Sequence, residues 1–192
     1  MSLTKVNADV LDLTDGYAFT GAVSGAGGWE FVSKVTASSS STVDFTNMVT
    51  GYDYNYVFEL LECATDATQW KAQLGIAGPT YRTSTYLSIV SGITTATSGG
   101  NEVTTFVQIG HTTQGSTDGE QMMGELTLIN PFATSHTNYF GDIHHKNASV
   151  ARVWSSCGGF YNADESHPAI RFLYASGNIT SGNIYQYRRA NA

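Results

Sequence analysis

The amino-acid sequence predicts an all-β protein, a jelly-roll-like antiparallel β-sandwich that follows a short N-terminal arm. Three observations predict this fold class. Short runs rich in β-branched and aromatic residues recur along the chain, and clusters of glycine, serine, asparagine and proline separate them. No run with helical periodicity exceeds about two turns, which argues against an α/β fold. No internal repeat is evident, which argues against a propeller or a β-helix.

Eleven runs are candidate strands, and turn-forming clusters lie between them. The candidate strands are Trp29–Ala37, Val43–Phe45, Tyr54–Cys63, Trp70–Ile76, Tyr86–Val90, Val103–Ile109, Gly124–Ile129, Tyr139–His144, Val150–Cys157, Ile170–Tyr174 and Asn183–Tyr187. The predicted turns are Ser38–Ser41, Gly78–Pro79, Ser98–Asn101, Gly115–Gly119 and Asn130–Pro131. Many short strands joined by such turns are typical of sandwiches and jelly rolls.

The closing segment is the most regular part of the chain. Ile170, Phe172 and Tyr174 share one face of a strand, which is the alternation of a half-buried strand. Two Ser-Gly-Asn triplets follow and supply residues that tolerate a chain reversal. A second β-prone run then continues almost to the last residue. We therefore expect a closing hairpin that belongs to the core, with Phe172 and Ile184 buried.

Composition and charge exclude several classes of function. Charged residues make up 13% of the 192-residue chain, about half of the ~25% usual in soluble proteins. The formal net charge is −7, and among the nine lysines and arginines only Arg188 and Arg189 are adjacent. Nucleic-acid binding needs clustered basic residues, so it is disfavoured. No apolar run approaches the ~18 residues of a membrane span, and no basic amphipathic helix occurs.

The first 28 residues differ from the rest and predict a separate arm, leaving residues 29–192 as one domain. A run of small and glycine residues, Ser24–Gly28, provides a flexible joint between the two. Acidic residues stand where a signal peptide would need an apolar core, so we expect synthesis and assembly in a cytoplasm. The apolar residues expected to dock the arm are Val6, Val10, Leu11, Leu13, Tyr17 and Phe19.

The histidines and cysteines do not form a metal-binding pattern. His144 and His145 are adjacent, so on a strand they point to opposite faces and cannot bind one ion together. Cys63 and Cys157 lie far apart, each in a predicted strand, and belong to no Cys-x-x-Cys pair. We expect the two cysteines to be small buried hydrophobes, and we expect no metal and no cofactor.

The carboxylates and hydroxyls likewise predict no enzyme. Glu59 and Glu62 are three residues apart and would face opposite ways on a regular strand, which rules out a paired acid and base. Asp164 and Glu165 lie in a predicted loop, where we expect them to be solvated. Neither a Gly-x-Ser-x-Gly elbow nor a phosphate-binding loop is present. The sequence therefore offers no catalytic residues.

The tyrosines predict contacts rather than chemistry. Tyr52, Tyr54 and Tyr56 alternate, so they share one face of a strand. Tyrosine offers a large area with a hydrogen-bonding tip, which suits a core or a subunit interface better than a sugar platform. We expect this stripe to belong to the core or to an interface.

Several motifs resemble those of β-sandwich domains in the virion structural proteins of tailed phages. They are TVDFTN at 42–47, the aromatic-rich strand at 52–60, GELTLINPFA at 124–133 and the closing IRF…SGNI.SG.I..Y. The opening segment is similar to N-terminal attachment arms of the same proteins. One departure is the final Tyr-Arg-Arg, where many relatives end in a Tyr-Gly turn.

This resemblance implies a non-enzymatic virion structural protein, assembled in the host cytoplasm, that decorates or projects from the capsid as a cement or head-fibre protein. It implies a homotrimer whose arm docks on the major capsid protein or on another virion protein. The alternative is a receptor-binding tail-fibre module in which the loops 91–100 and 111–119 contact host surface glycans. A carbohydrate-active enzyme on a lectin-like sandwich is the third class, and it lacks a catalytic constellation.

Overall fold

The computed structural model of this chain describes residues 28–66, 68–94, 98–117 and 119–191. The described residues form thirteen β-strands and no helix. In chain order the strands are β1 (Glu30–Thr36), β2 (Val43–Phe45), β3 (Tyr52–Cys63), β4 (Trp70–Ile76), β5 (Thr80–Tyr81), β6 (Tyr86–Thr94), β7 (Ser98–Val103), β8 (Val107–Gln108), β9 (Met122–Ile129), β10 (Thr137–Lys146), β11 (Arg152–Tyr161), β12 (Ala169–Tyr174) and β13 (Ile179–Ala190).

Two antiparallel sheets pack as a sandwich, which confirms the predicted all-β class. The larger sheet has eight strands in the order β1-β13-β3-β9-β10-β11-β6-β7. The smaller sheet has the order β2-β12-β4-β5, and β8 also pairs with β4. All of these pairings are antiparallel, and their registers leave alternate side chains between the two sheets.

Eight of the strands follow the path of a jelly roll. Along β1, β2, β3, β4, β8, β9, β12 and β13 the chain changes sheet at every step except from β4 to β8, which pair within the smaller sheet. The pairs β1–β13, β2–β12, β3–β9 and β4–β8 are those of one long antiparallel hairpin folded over on itself, which is the jelly-roll path. The remaining strands are insertions, and β6, β7, β10 and β11 widen the larger sheet beyond the sandwich.

Aromatic side chains fill the space between the sheets. Phe172 on β12 is fully buried and contacts the rings of Tyr56, Phe58 and Trp70, with centroids 5.1–5.8 Å apart. Phe45 on β2 packs on the same cluster at 6.2 Å from Phe172. The alternation of Ile170, Phe172 and Tyr174 is confirmed, since all three side chains point into this core.

The predicted closing hairpin is wrong, although both of its strands exist. β12 belongs to the smaller sheet and β13 to the larger one, so the loop between them crosses the sandwich. Phe172 and Ile184 are both buried, as expected, but they lie on strands of opposite sheets. Turn-forming residues and alternation are the same for a reversal within one sheet and for a crossing between two sheets. The sequence pattern therefore could not separate the two cases.

One predicted turn is also wrong. Residues 98–101 belong to β7, an edge strand that pairs with β6 through its backbone while its side chains are exposed. A glycine-rich edge strand pairs through its backbone, which requires no particular side chains. Its sequence therefore lacks the alternation that predicts a strand. The predicted strand Val103–Ile109 is divided between the end of β7 and the short strand β8.

Candidate interaction face

The structure places the predicted tyrosine stripe in the core. Tyr54 and Tyr56 are fully buried, and Gln186 Nε2 donates to the hydroxyl of Tyr56 at 3.2 Å. Of the two expected roles, core or interface, these two residues therefore have the core one. Tyr52 is half-buried at the end of the stripe, with the guanidinium of Arg188 4.6 Å from the centre of its ring. The expected docking residues of the arm, Val6, Val10, Leu11, Leu13, Tyr17 and Phe19, lie outside the described residues.

Glu59 and Glu62 share the outer face of β3, contrary to the prediction from regular alternation. Leu60, between them, has a positive φ of 52° and forms a β-bulge, which adds one residue and returns Glu62 to the face of Glu59. Gly182 on β13 lies against this bulge, where a Cβ would come within 2.6 Å of the Leu60 carbonyl oxygen. The bulge therefore requires glycine opposite it.

These two carboxylates act as structural acceptors. Asn183 Nδ2 and the Tyr185 hydroxyl each donate to Glu59 at 2.7 Å. The Ser181 hydroxyl and Gln121 Nε2 donate to Glu62 at 2.6 and 2.7 Å. These donors lower the pKa of both carboxyl groups, first through Tyr185 and Ser181 respectively. A general acid needs a raised pKa, whereas the pKa values of Glu59 and Glu62 are both lowered.

Glu165 is paired rather than solvated, which corrects the expectation for this loop. Arg82 donates to both of its carboxylate oxygens, one bond being 2.8 Å long, and this lowers the pKa of Glu165. Glu165 also lies 3.7 Å from His167 Nε2, while His167 Nδ1 shares a 2.8 Å hydrogen bond with the hydroxyl of Thr137. The three groups resemble a nucleophile, base and acid, but Thr137 and His167 are fully buried. They connect the 163–168 loop to β10.

His144 and His145 point to opposite faces of β10, as the sequence predicts. His144 is exposed, whereas His145 is buried and its Nε2 lies 3.4 Å from the Thr112 hydroxyl. Among the described residues no three His, Cys, Asp or Glu side chains come close enough together to hold a metal ion.

Both cysteines are free and buried, which confirms the interpretation of them as small core residues. Burial raises the pKa of Cys63 to about 11 and that of Cys157 to about 12. A thiol reacts as its thiolate, so neither cysteine is poised as a nucleophile at neutral pH.

The outer surface of the inserted strands is the main exposed apolar feature of the described residues. We name the outer side of β6, β9, β10 and β11 the insert face. Its apolar side chains are Leu87, Ile89, Ile93, Met123, Phe140, Trp154 and Phe160. Five of these are 42–61% exposed. Apolar residues scattered singly on a surface are ordinary, but a contiguous patch marks an interaction site.

The strand registers arrange the insert face in rows. Trp154 lies opposite Ile93 on one side and His144 on the other, and Met123 lies opposite His144. Four residues further along β11, Gly158 lies opposite Ile89 and Phe140. Between these two apolar rows lies a polar row, which consists of Ser91, Ser156, Asp142 and Glu125. Beyond Trp154 the face ends in Lys146 and Arg152.

A groove crosses the insert face above Gly158. Its volume is about 520 Å³, and Leu87, Ile89 and Phe160 form its apolar walls, with Glu102 at one end. Gly158 forms part of the floor because it has no side chain. A Cβ at this position would meet nothing closer than the Tyr139 carbonyl oxygen at 3.7 Å, so the space above the glycine is open.

The jelly-roll half of the same sheet has a polar outer face. Beyond the carboxylates of β3, Asn55 Nδ2 donates to Thr127 at 2.8 Å and to Glu125 at 3.1 Å, and Lys34 lies 5.2 Å from the centre of the Tyr185 ring. Phe31 on β1 and Leu60 on β3 are also exposed, but five of the exposed large apolar side chains of the described residues lie on β6, β9, β10 and β11. The outer face of the sheet therefore has a mainly hydrogen-bonded half and a mainly apolar half.

The insert face is not among the sites predicted from the sequence, although β6 carries a signal for it. Leu87, Ile89 and Ile93 point outward from β6, while Tyr86 and Val90 point inward. A strand that is apolar on both faces is covered on both faces in most sheets. The run predicts a strand, and its second apolar face indicates that the outer side of this strand is covered.

The two segments expected to contact glycans are not both loops. Residues 91–94 continue β6 and residues 98–100 begin β7, so the first segment is largely strand. In the second, Gln114 is buried, and its Nε2 donates to the backbone carbonyl oxygens of Leu61 and Glu120 at 2.9 and 3.1 Å.

Comparison with known proteins finds no family model, no curated protein and no solved structure that matches this chain. The described residues include no helix long and apolar enough to cross a membrane.

Proposed function

We propose that this chain is a non-enzymatic structural subunit of a tailed-phage virion that decorates or projects from the capsid. The observation that carries the proposal is the jelly-roll path of β1–β4, β8, β9, β12 and β13, a topology that recurs in viral capsid and lectin domains. One fold hosts many functions, so the topology supports the proposal by analogy. The surface supplies the second support.

The surface favours binding over catalysis. The candidate carboxylates accept hydrogen bonds within the fold, and the Thr137–His167–Glu165 cluster has no access for a substrate. The insert face, in contrast, exposes aromatic and aliphatic side chains with few charged groups, which is the composition of protein interfaces. A subunit that works by docking needs such a face.

The receptor-binding alternative has weaker support. Its first expected contact segment is largely strand, and the buried Gln114 fixes part of its second. Trp154 is an exposed aromatic ring of the kind that sugars stack on, but aliphatic Ile93 and Met123 lie in the same row. We therefore retain capsid decoration as the proposal.

The role of the arm is tested by deletion. Because the aromatic core lies within residues 28–191, we expect a chain that lacks residues 2–28 to fold with an unchanged unfolding transition. We expect the same chain to be absent from particles, because the arm is the proposed anchor. The measurement is the occupancy of the chain on purified particles, by gel densitometry against the major capsid protein.

The copy number of the intact chain is the control for that experiment. Decoration of a shell requires a copy number that scales with the capsid lattice, whereas a tail module requires a small fixed number. Normal occupancy of the truncated chain would show that the arm is not the anchor. Absence of the intact chain from purified particles would overturn the proposed function itself.

A further inference from the structure

We infer that a second copy of this chain binds the insert face, with Trp154 of each copy seated in the groove above Gly158 of the other. The inferred contact is twofold and gives a dimer, so it departs from the homotrimer that the phage resemblance implies. It is argued from the geometry of this chain alone, and its test uses the purified chain. It can therefore fail while the proposed function holds, and the reverse is also true.

The insert face carries both halves of a complementary contact. Trp154 on β11 is 42% exposed. The groove lies above Gly158 on the same strand, four residues away, which is ~13 Å along a strand. Across a twofold axis the same patch of both copies lies in the interface, so Trp154 of each copy can fill the groove of the other. Neither element requires a different partner.

The groove matches an apolar ring. Leu87, Ile89 and Phe160 form its walls, and its volume of about 520 Å³ lies in the range that holds a small organic ligand. Trp154 is also the residue type most enriched at the energetic centres of interfaces. An indole that leaves water for this groove would be buried between aliphatic and aromatic walls.

The area of the insert face is sufficient for a specific interface. The four strands of the insert face, each ~4.8 Å wide, give a width of ~19 Å, and the rows from Phe160 to Arg152 give a length of ~27 Å. The face therefore covers about 500 Å² on each copy, or ~1,000 Å² in total, which is the size at which specific interfaces begin. The inferred contact is thus a small interface that depends on its central residues.

The chemistry of the face favours a copy of the chain over a glycan. Ile89, Ile93 and Met123 offer no hydrogen bonds to sugar hydroxyls, whereas they gain from contact with equally apolar side chains. The charged groups have both signs, with Asp142 and Glu125 in the middle row and Lys146 and Arg152 at one end. The twofold axis that sets Trp154 over Gly158 runs along the middle row, so Asp142 and Glu125 face their own copies and oppose the contact, and the apolar rows on either side must outweigh that repulsion.

The test is the oligomeric state of the full chain by sedimentation equilibrium and light scattering. Trp154→Ala removes the indole ring. Gly158→Val fills the groove, and its Cβ is free of clashes in the single chain. We expect each variant to raise the dissociation constant at least ~30-fold, the effect of losing an interface hot spot. Both should keep the wild-type circular dichroism and unfolding transition of the monomer.

Leu60→Ala is the matched control. Leu60 is 51% exposed on the outer face of the same sheet, but on the bulge of β3 in the polar half. We expect it to leave the dissociation constant unchanged. Equal weakening by Leu60→Ala would overturn the assignment to the insert face, because the effect would then be general.

Four outcomes would overturn the inference. One is a full chain that stays monomeric at the highest soluble concentration, and another is an oligomer that Trp154→Ala and Gly158→Val leave intact. A third is a monomer that associates only after residues 2–28 are removed, since the arm would then cover the face. The fourth is a monomer that binds oligosaccharides through Trp154, which would assign the face to a glycan.

Discussion

Replacement of Phe172 by alanine is expected to lower the free energy of unfolding by about 3–5 kcal/mol, the usual cost of removing a buried aromatic side chain. Phe172 is fully buried at the centre of the aromatic cluster and contacts rings from both sheets. The surrounding strands are held by their hydrogen-bond ladders, so the cavity can close only in part. Denaturant melts followed by tryptophan fluorescence and circular dichroism measure the change.

Phe31→Ala is the control for this experiment. Phe31 is the same residue type on the edge strand β1, where it is 56% exposed and makes one ring contact, to Tyr187 at 5.8 Å. We expect it to cost less than ~1 kcal/mol. Equal losses from Phe172→Ala and Phe31→Ala would mean that β12 does not form the centre of the core.

Mild acid is expected to destabilise the fold through two buried histidines. Burial lowers the pKa of His145 and His167 to about 4, from an ordinary value of 6.5. Between these values the unfolded chain binds two protons that the folded chain does not, so stability falls as the pH falls from 6.5 towards 4. The slope is ~1.4 kcal/mol per pH unit for each histidine, and the total is on the order of 3 kcal/mol for each.

The contribution of the two histidines to this pH dependence can be tested with variants that keep the hydrogen bonds but do not titrate. Asparagine at 167 places an amide near the Thr137 hydroxyl, and glutamine at 145 places one near Thr112. We expect His167→Asn and His145→Gln each to remove about half of the slope between pH 6.5 and 5. Unfolding free energies from urea melts at several pH values give the slope directly, even if a variant is less stable at pH 7.

Between pH 6.5 and 5 the loss of stability comes from the histidines and not from the carboxylates. Hydrogen bonds and ion pairs lower the pKa of Glu59, Glu62 and Glu165 below 4.5, so these groups add stability above that pH and lose it only in stronger acid. A double variant that retains the wild-type slope between pH 6.5 and 5 would show that the histidines are not its source.

Local patterns predicted the strands well because alternation reports burial residue by residue. The run Trp70–Ile76 and the faces of Phe172 and Tyr174 follow from the sequence, since each depends only on near neighbours. The crossing between β12 and β13 does not, because the choice of sheet depends on partners more than a hundred residues away, such as β2 and β3. Sheet membership is a property of the whole chain.

The candidate site was less predictable for two physical reasons. The bulge at Leu60 shifts the alternation by one residue and so moves Glu62 to the face of Glu59, and no residue type signals a bulge with certainty. The insert face arises only when Trp154, Phe140 and Ile89 come together from three strands. The pattern of β6 alone indicates a second apolar face, but it does not show which strands extend that face into a patch.

The pairing of the first and last described strands determines when the domain can be completed during synthesis. β1 pairs with β13, and β13 also pairs with β3. These two strand pairings of the larger sheet can form only after the last strand has left the ribosome. Such distant pairings slow folding and leave strand edges open until they form. We therefore expect the nascent chain to depend on rapid completion or on chaperones, and a chain that ends before Ile179 to aggregate rather than to fold in part.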